Sequence, residues 1–256
     1  HPGPKQKPKG PGRKISAIQR IMRSIEVCFS PELIHLHEVT GKLVVVVDIF
    51  RATSTMVAAL AHGVTEIMPF ADLEACRAMQ SQGYLIAAER DGLTAPGFEL
   101  GNSPVAYTGG AYAGRKLAMT TTNGTVAIEK SKGAAEILIG AFPNLQATVA
   151  YIQSRDLDVL IHCAGWKGRF NLEDSLYAGA LVQALSGSHA NQEDGAIAMG
   201  SLYTQVGENL ATYLSQAAHA KRLQNHGIEA DIDFCLSLNL YNQVVGVSQK
   251  GELRIV

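Results

Sequence analysis

Four valines in a row follow Leu43 and run straight into an acid, giving Leu43-Val-Val-Val-Val-Asp48. β-Branched side chains favour extended backbone, and a strand apolar at every position has to be covered on both faces. This one segment therefore demands a sheet with helices above and below it. From about Ile25 onward the chain keeps the strand-then-helix rhythm of such a sheet. Strands are expected at 25–29, 43–48, 66–70, 85–88, 116–120, 136–139 and 158–163. Helices are expected at 53–62, 72–82, 125–130 and 145–154, with an amphipathic helix at 173–185 and a helical stretch from about 197 to 223. A small hairpin should close the chain, with 244–248 and 253–256 flanking Lys250-Gly251. The architecture implied is a three-layer α/β/α fold with a largely parallel or mixed central sheet.

Composition narrows the partners. The 256 residues, 46% hydrophobic, are enough for a single domain over 25–256 with its own core. The formal charge of −1 is unevenly spread: residues 1–24 hold seven of the 22 basic side chains and none of the 23 acidic ones, leaving the remainder at −8. A body this acidic repels polyanions, so nucleic acid is not expected as a partner, and any anion must be met by a local site. Residues 1–12 are rich in Pro, Gly and Lys and lack the apolar stretch of a signal peptide. Residues 1–24 are accordingly expected to be a basic, disordered extension. No apolar run approaches the ~20 residues of a membrane span, so no membrane partner is expected. Cys28, Cys76, Cys163 and Cys235 are far apart and form no CxxC pair, which suits a reducing, cytoplasmic interior. Self-association into a homo-oligomer is the base-rate expectation.

In sheets of this class ligands bind beyond the carboxyl ends of the strands, and the reactive residues cluster there. Asp48 ends a buried strand, Arg51 lies in the turn, and Thr53-Ser54-Thr55 opens a helix. A helix start with hydroxyls and a guanidinium suits an anion, and Asp48 can bind Mg2+ or act as a nucleophile. The alternative is an ordinary capped turn with Arg51 paired to Asp48. Glu89-Arg90-Asp91-Gly92 leads into a long glycine-rich loop containing Asn102. Loops of that length inside a domain are usually functional. Glu89 can ligate a metal or serve as a base, and Arg90 can hold an anion; a solvated charged turn fits as well. Thr122, Asn123, Gly124 and Thr125 form a third strand-to-helix turn, a plausible anion cradle although not a Walker A loop. After Cys163 come Gly165, Lys167, Gly168 and Arg169, then Glu173 and Asp174. The two acids either complement a helix dipole or offer Mg2+ hard oxygen ligands. Cys163 reads as a packing residue, since Arg169 stands six residues on and not at the spacing of a phosphatase Cys-x5-Arg loop. Asp231 and Cys235 share a face if their segment is helical.

Together, Asp48–Thr55 (DIFRATST), ER-DG with GFELGNSP at 89–104, TTNGT at 121–125, CAG with EDSLYAG at 163–179, and DIDFC at 231–235 resemble the 2-phosphosulfolactate phosphatase family. The resemblance runs from about Ile25 to the C-terminus. It implies an α/β protein that uses Mg2+ to hydrolyse the phosphate ester of 2-phospho-3-sulfolactate, a step of coenzyme M biosynthesis. The small anionic ester would meet Arg51, Thr53, Arg90, Asn102 and residues 122–125, with Lys167 or Arg169 as additions. The ion would be held by Asp48, Glu89, Glu173 or Asp174, neutralising phosphoryl oxygens and acidifying a water. Direct attack by water with a carboxylate as base is the expected route, with Asp48, Glu89 and Arg51 as the catalytic set. A phospho-aspartate at Asp48 is the alternative. From a different class stands a non-catalytic anion-binding or regulatory module of the same fold. A site lined with acids argues against that, because it repels a pure anion ligand.

Overall fold

The valine run is buried at every position, in strand β2 (Leu43–Val47). The computed structural model describes residues 22–190, 193–224 and 228–256; most of the basic extension expected at 1–24, residues 1–21, lies outside them. The first strand, β1 (Arg23–Cys28), starts two residues earlier than the sequence pattern indicates. The other strands are β3 (Glu66–Phe70), β4 (Leu85–Arg90), β5 (Leu93–Thr94), β6 (Lys116–Thr120), β7 (Glu136–Gly140), β8 (Val159–Cys163), β9 (His189–Ala190), β10 (Val245–Val247) and β11 (Leu253–Ile255). The α-helices are α1 (Ala52–Ala61), α2 (Leu73–Ala78), α3 (Gly124–Lys130), α4 (Leu145–Gln153), α5 (Leu172–Leu185), α6 (Asp194–Val206), α7 (Leu210–Leu214), α8 (Ala218–Gln224) and α9 (Glu229–Leu236).

The strands form one mixed sheet in the order β5-β4-β6-β3-β11-β10-β7-β2-β8-β1-β9. Two parallel blocks make up most of it. In one, β2 lies between β7 and β8, with Val46 opposite Ile139 on one side and His162 on the other. In the second, β6 lies between β3 and β4. The closing hairpin β10–β11 is antiparallel to both of its neighbours and joins the blocks, so the last strands of the chain sit mid-sheet.

Alternation along β2 explains the layers. Val45 and Val47 belong to a core built with α4, α5 and α9, whereas Val44 and Val46 face α1 and α3. Helix α1 is buried at nine of its ten residues, packed against side chains from both parallel blocks. Helix α2 covers the other face of β4 and β6 through Cys76, Ile86, Ala88 and Ala118. The helix expected as amphipathic, α5, is instead buried on nearly all sides because α6 stacks on its outer face. That contact is so close that a Cβ at Gly179 would lie 2.2 Å from the Met199 carbonyl oxygen. The helical stretch expected to 223 is broken after Val206 and again between Leu214 and Ala218.

His162, on β8, is fully buried, with its Nδ1 2.8 Å from the Ser131 hydroxyl. Burial, aided by the nearby His37 and Lys130, pushes its pKa down to about 3. The folded protein therefore resists a proton that the unfolded chain accepts near pH 6.5. Stability from this residue is complete above pH 6.5 and falls by about 1.4 kcal/mol per unit as pH drops toward 3. Urea midpoints measured between pH 7 and 5 should show this slope, and His162→Gln should flatten it.

Candidate active site

The carboxyl ends of β2, β4, β6 and β8 converge on one cleft, lined by Asp48, Phe50, Arg51, Glu89, Asp91, Gly92, Asn102, Thr122, Asn123, Trp166, His219, Arg222 and Leu223. It encloses only about 20 Å3. A wider, mainly apolar chamber of about 410 Å3 adjoins it, sharing Trp166, His219 and Arg222 as a common wall.

Asp48 is held by its own turn. Its amide donates to Thr53 Oγ1 at 3.0 Å, and its carbonyl accepts from Thr53 N and Oγ1. Thr53, expected at the substrate, is thus turned inward and shapes the turn instead. The carboxyl of Asp48 is pushed up to about 7, chiefly by burial and further by Glu89 and Glu173, while His219 opposes the shift. Gly124 admits this crowding, since a Cβ there would stand 2.9 Å from Asp48 Oδ2 and 2.6 Å from Ala52 Cβ. Thr125 is likewise internal, its hydroxyl donating to the Thr121 carbonyl.

β4 runs two residues further than expected, to Arg90. Neighbouring strand residues point to opposite faces, so Glu89 lines the cleft and Arg90 does not. Glu89 accepts from Gly92 N at 2.6 Å, Thr122 N at 3.2 Å and Thr122 Oγ1 at 3.1 Å. Arg90 donates to the Glu89 carbonyl and to Thr120 Oγ1. The other expected cations are also engaged. Arg51 lines the cleft but donates from Nη1 to Asp231 Oδ2 at 2.5 Å and from Nη2 to the Gly92 carbonyl at 2.7 Å. The turn alternative that paired it with Asp48 is not what forms. Ser103 donates to the second oxygen of Asp231 at 2.6 Å, tying the long loop to α9. Lys167 is paired with Asp91 at 2.9 Å, and Arg169 lines the adjoining chamber. Asn102 faces the cleft with its Oδ1 buried and without a partner among the described residues.

The adjacent acids Glu173 and Asp174 diverge. Asp174 accepts from Ile49 N at 2.8 Å and Gly165 N at 3.1 Å, clamping the loops after β2 and β8 together. Burial, then Asp48 and Glu173, push its pKa up. Glu173 is fully buried, with Oε1 2.5 Å from Nδ1 of His219 and Oε2 without a partner among the described residues. Cys163 is fully buried and its thiol pushed well up by desolvation, in keeping with a packing role.

His219, Trp166 and Arg222 were not singled out by sequence reasoning. In Ser215-Gln-Ala-Ala-His219-Ala-Lys-Arg222-Leu the histidine and arginine stand three apart on a short helix, a spacing common on any solvated face. Only the folded chain brings them opposite Asp48.

These features define an α/β enzyme with an acid-lined cleft at the ends of parallel strands. A model of the family described as 2-phosphosulpholactate phosphatase matches residues 28–250, which include every cleft residue named above. A protein of Thermotoga maritima named probable 2-phosphosulfolactate phosphatase is 40% identical over 200 residues, 78% of this chain and 86% of its own. One of the same name from Gloeobacter violaceus is 39% identical over 235 residues, 90% of this chain and 97% of its own. Another from Carboxydothermus hydrogenoformans is 33% identical over 234 residues, covering 90% and 96% respectively. The chain belongs to the 2-phosphosulfolactate phosphatase family and is a phosphoric monoester hydrolase.

A carboxyl held at about 7, against ~3.9 in an unfolded chain, costs folding energy once it ionises. Stability from Asp48 is complete below pH 4 and lost as pH rises through 7. In chelator-containing buffer at pH 8, Asp48→Asn should therefore stabilise the protein, by at most about 4 kcal/mol. Its melting temperature should exceed that of the parent at pH 8, with the gap narrowing at pH 5 and closing below pH 4.

Proposed function

We propose that the protein hydrolyses 2-phospho-3-sulfolactate, or a closely similar small phosphorylated hydroxy acid, to the free acid and phosphate, with Mg2+ as cofactor. The observation that carries this reading is the convergence of Asp48 and Glu89 on one cleft opposite the His219–Glu173 pair. The names of the relatives supply the substrate class. Free, buried thiols at all four cysteines suit a reducing compartment. No helix among the described residues is long and apolar enough to cross a membrane.

The donor set suits Mg2+. Among the described residues no three His, Cys, Asp or Glu groups form a ligand cage by themselves. Mg2+ commonly takes only one or two carboxylates, completing its shell with waters and substrate phosphate. Asp48 and Glu89 would hold it, because of the four expected ligands only these two line the cleft, whereas Asp174 clamps two loops and Glu173 is paired with His219. Bound there, the ion would neutralise phosphoryl oxygens and favour ionisation of water.

The chain's own groups divide the remaining work. The Asp48 carboxyl, buried and crowded by Glu89 and Glu173, is the group that a cation in the cleft would most favour in its ionised form. His219 directs Nδ1 to Glu173, leaving Nε2 as the nitrogen that can protonate the leaving oxygen. Arg51 is fixed by Asp231 and Gly92, so its guanidinium forms a rigid wall for the phosphoryl group. Phe50 and Leu223 limit water around the reacting atoms.

Purified protein should release phosphate from 2-phosphosulfolactate with Mg2+ and stop when EDTA is in excess. Release no faster than that of Asp48→Asn would overturn the reading. His219→Asn, which retains a donor toward Glu173, should lower kcat on 2-phosphosulfolactate about 10^2–10^4-fold. On p-nitrophenyl phosphate, whose leaving group needs no proton, the loss should be much smaller.

A further inference from the structure

The cations that a multiply charged ester would be expected to meet are largely committed elsewhere. Arg51 is bonded to Asp231, Arg90 to Thr120 and Lys167 to Asp91. Arg222 differs. Its guanidinium lies over the Trp166 ring, with the central carbon 3.8 Å from the ring centroid. Its Nη2 is buried and has no hydrogen-bond partner among the described residues. Glu173, Asp91 and Glu89 are near enough to favour its charge against the opposing effect of burial, and no hydrogen bond to any of them forms. A buried N–H without an acceptor is costly. Such a group on the wall of a cleft has the character of a receptor awaiting its anion.

Size gives the second argument. The recess beside Asp48 is far narrower than the adjoining chamber, about 20 against 410 Å3. The rest of any ester whose phosphoryl group enters there must lie toward the wider chamber, and Trp166, His219 and Arg222 form the shared wall it meets. Stacking on Trp166 orders the guanidinium before binding, which lowers the entropy lost in capturing a ligand. Its planar fork matches two oxygens of a carboxylate or sulfonate.

We infer that Arg222, held flat by Trp166, receives the second anionic group of the substrate, a carboxylate or sulfonate, and so selects phosphorylated acids over simple phosphate esters. This rests on the phosphatase reading of the same cleft and assigns Arg222 to specificity, separate from the phosphoryl chemistry at Asp48 and His219.

The test compares two esters, 2-phosphosulfolactate and p-nitrophenyl phosphate, on wild type, Arg222→Met and Arg222→Lys. Methionine keeps an unbranched stem against Trp166 and removes the charge. The ratio of kcat/KM for the phosphorylated acid to that for the simple ester should fall at least tenfold in Arg222→Met, mainly through KM. Arg222→Lys should recover part of that loss. A ratio changed less than twofold overturns the inference, whether both activities fall together, as for a phosphoryl contact, or neither falls. A second arm titrates 3-sulfolactate, which has no phosphate, by calorimetry. Wild type should bind it at least tenfold more tightly than Arg222→Met, and equal affinities overturn the assignment. If wild type hydrolyses neither ester, the phosphatase reading fails while the calorimetric arm still decides the role of Arg222.

Discussion

A carboxyl group kept almost out of water beside two other carboxylates is the constraint around which this cleft is built. Asp48 would be more comfortable protonated, and burial with Glu89 and Glu173 nearby lifts its pKa to about 7. Left to themselves, three acids so placed would swing apart into solvent. Each is prevented by its own donors. The Asp48 carboxyl is held by the Ala52 amide, Glu89 by Gly92 and Thr122, and Glu173 by His219. Folding energy is thereby stored in a site primed for a proton, a cation or a phosphoryl group, in the way that strained functional sites generally oppose stability.

The scaffold draws this cleft from both parallel blocks of the sheet. Asp48 and Trp166 follow β2 and β8, whereas Glu89 and Thr122 belong to or follow β4 and β6. The β10–β11 hairpin joins the two blocks, and α1 fills the space they share. Two contacts then lock the loops. Asp174 binds amides from the turns after β2 and β8, and the buried pair Arg51–Asp231 links the first turn to α9, 180 residues away. Burying an ion pair yields little net stability, because desolvation offsets the attraction. Its contribution here is geometric, fixing Arg51 and, through Ser103, the long loop beside it.

Much of the fold could be read in the chain. The valine run, the strand-helix rhythm and the final hairpin are local patterns, and they survive folding with most boundaries moved by a residue or two, although α2 ends four residues early and the helical stretch expected to 223 is interrupted. Asp48, Glu89 and Thr122 were placed at strand ends and Asn102 in the loop after one, and all four line the cleft. The errors have physical causes. Thr53 and Thr125 carry the right hydroxyls, and their own turns consume them. Arg90 follows Glu89 on an extended strand and so faces away. His219 and Arg222 lie in a stretch whose spacing marks nothing, and their importance comes from what α8 packs against.

Taken alone, the sequence determined which segments become strands of a covered sheet and which acids cap them, because side-chain period and β-branching act over a few residues. Tertiary structure alone decided which charges remain open. Ion pairing depends on distances between residues as remote as Arg51 and Asp231, or Glu173 and His219, and those distances exist only once the sheet has closed around α1. For the same reason a guanidinium resting on Trp166 becomes a receptor, while three other cations become struts.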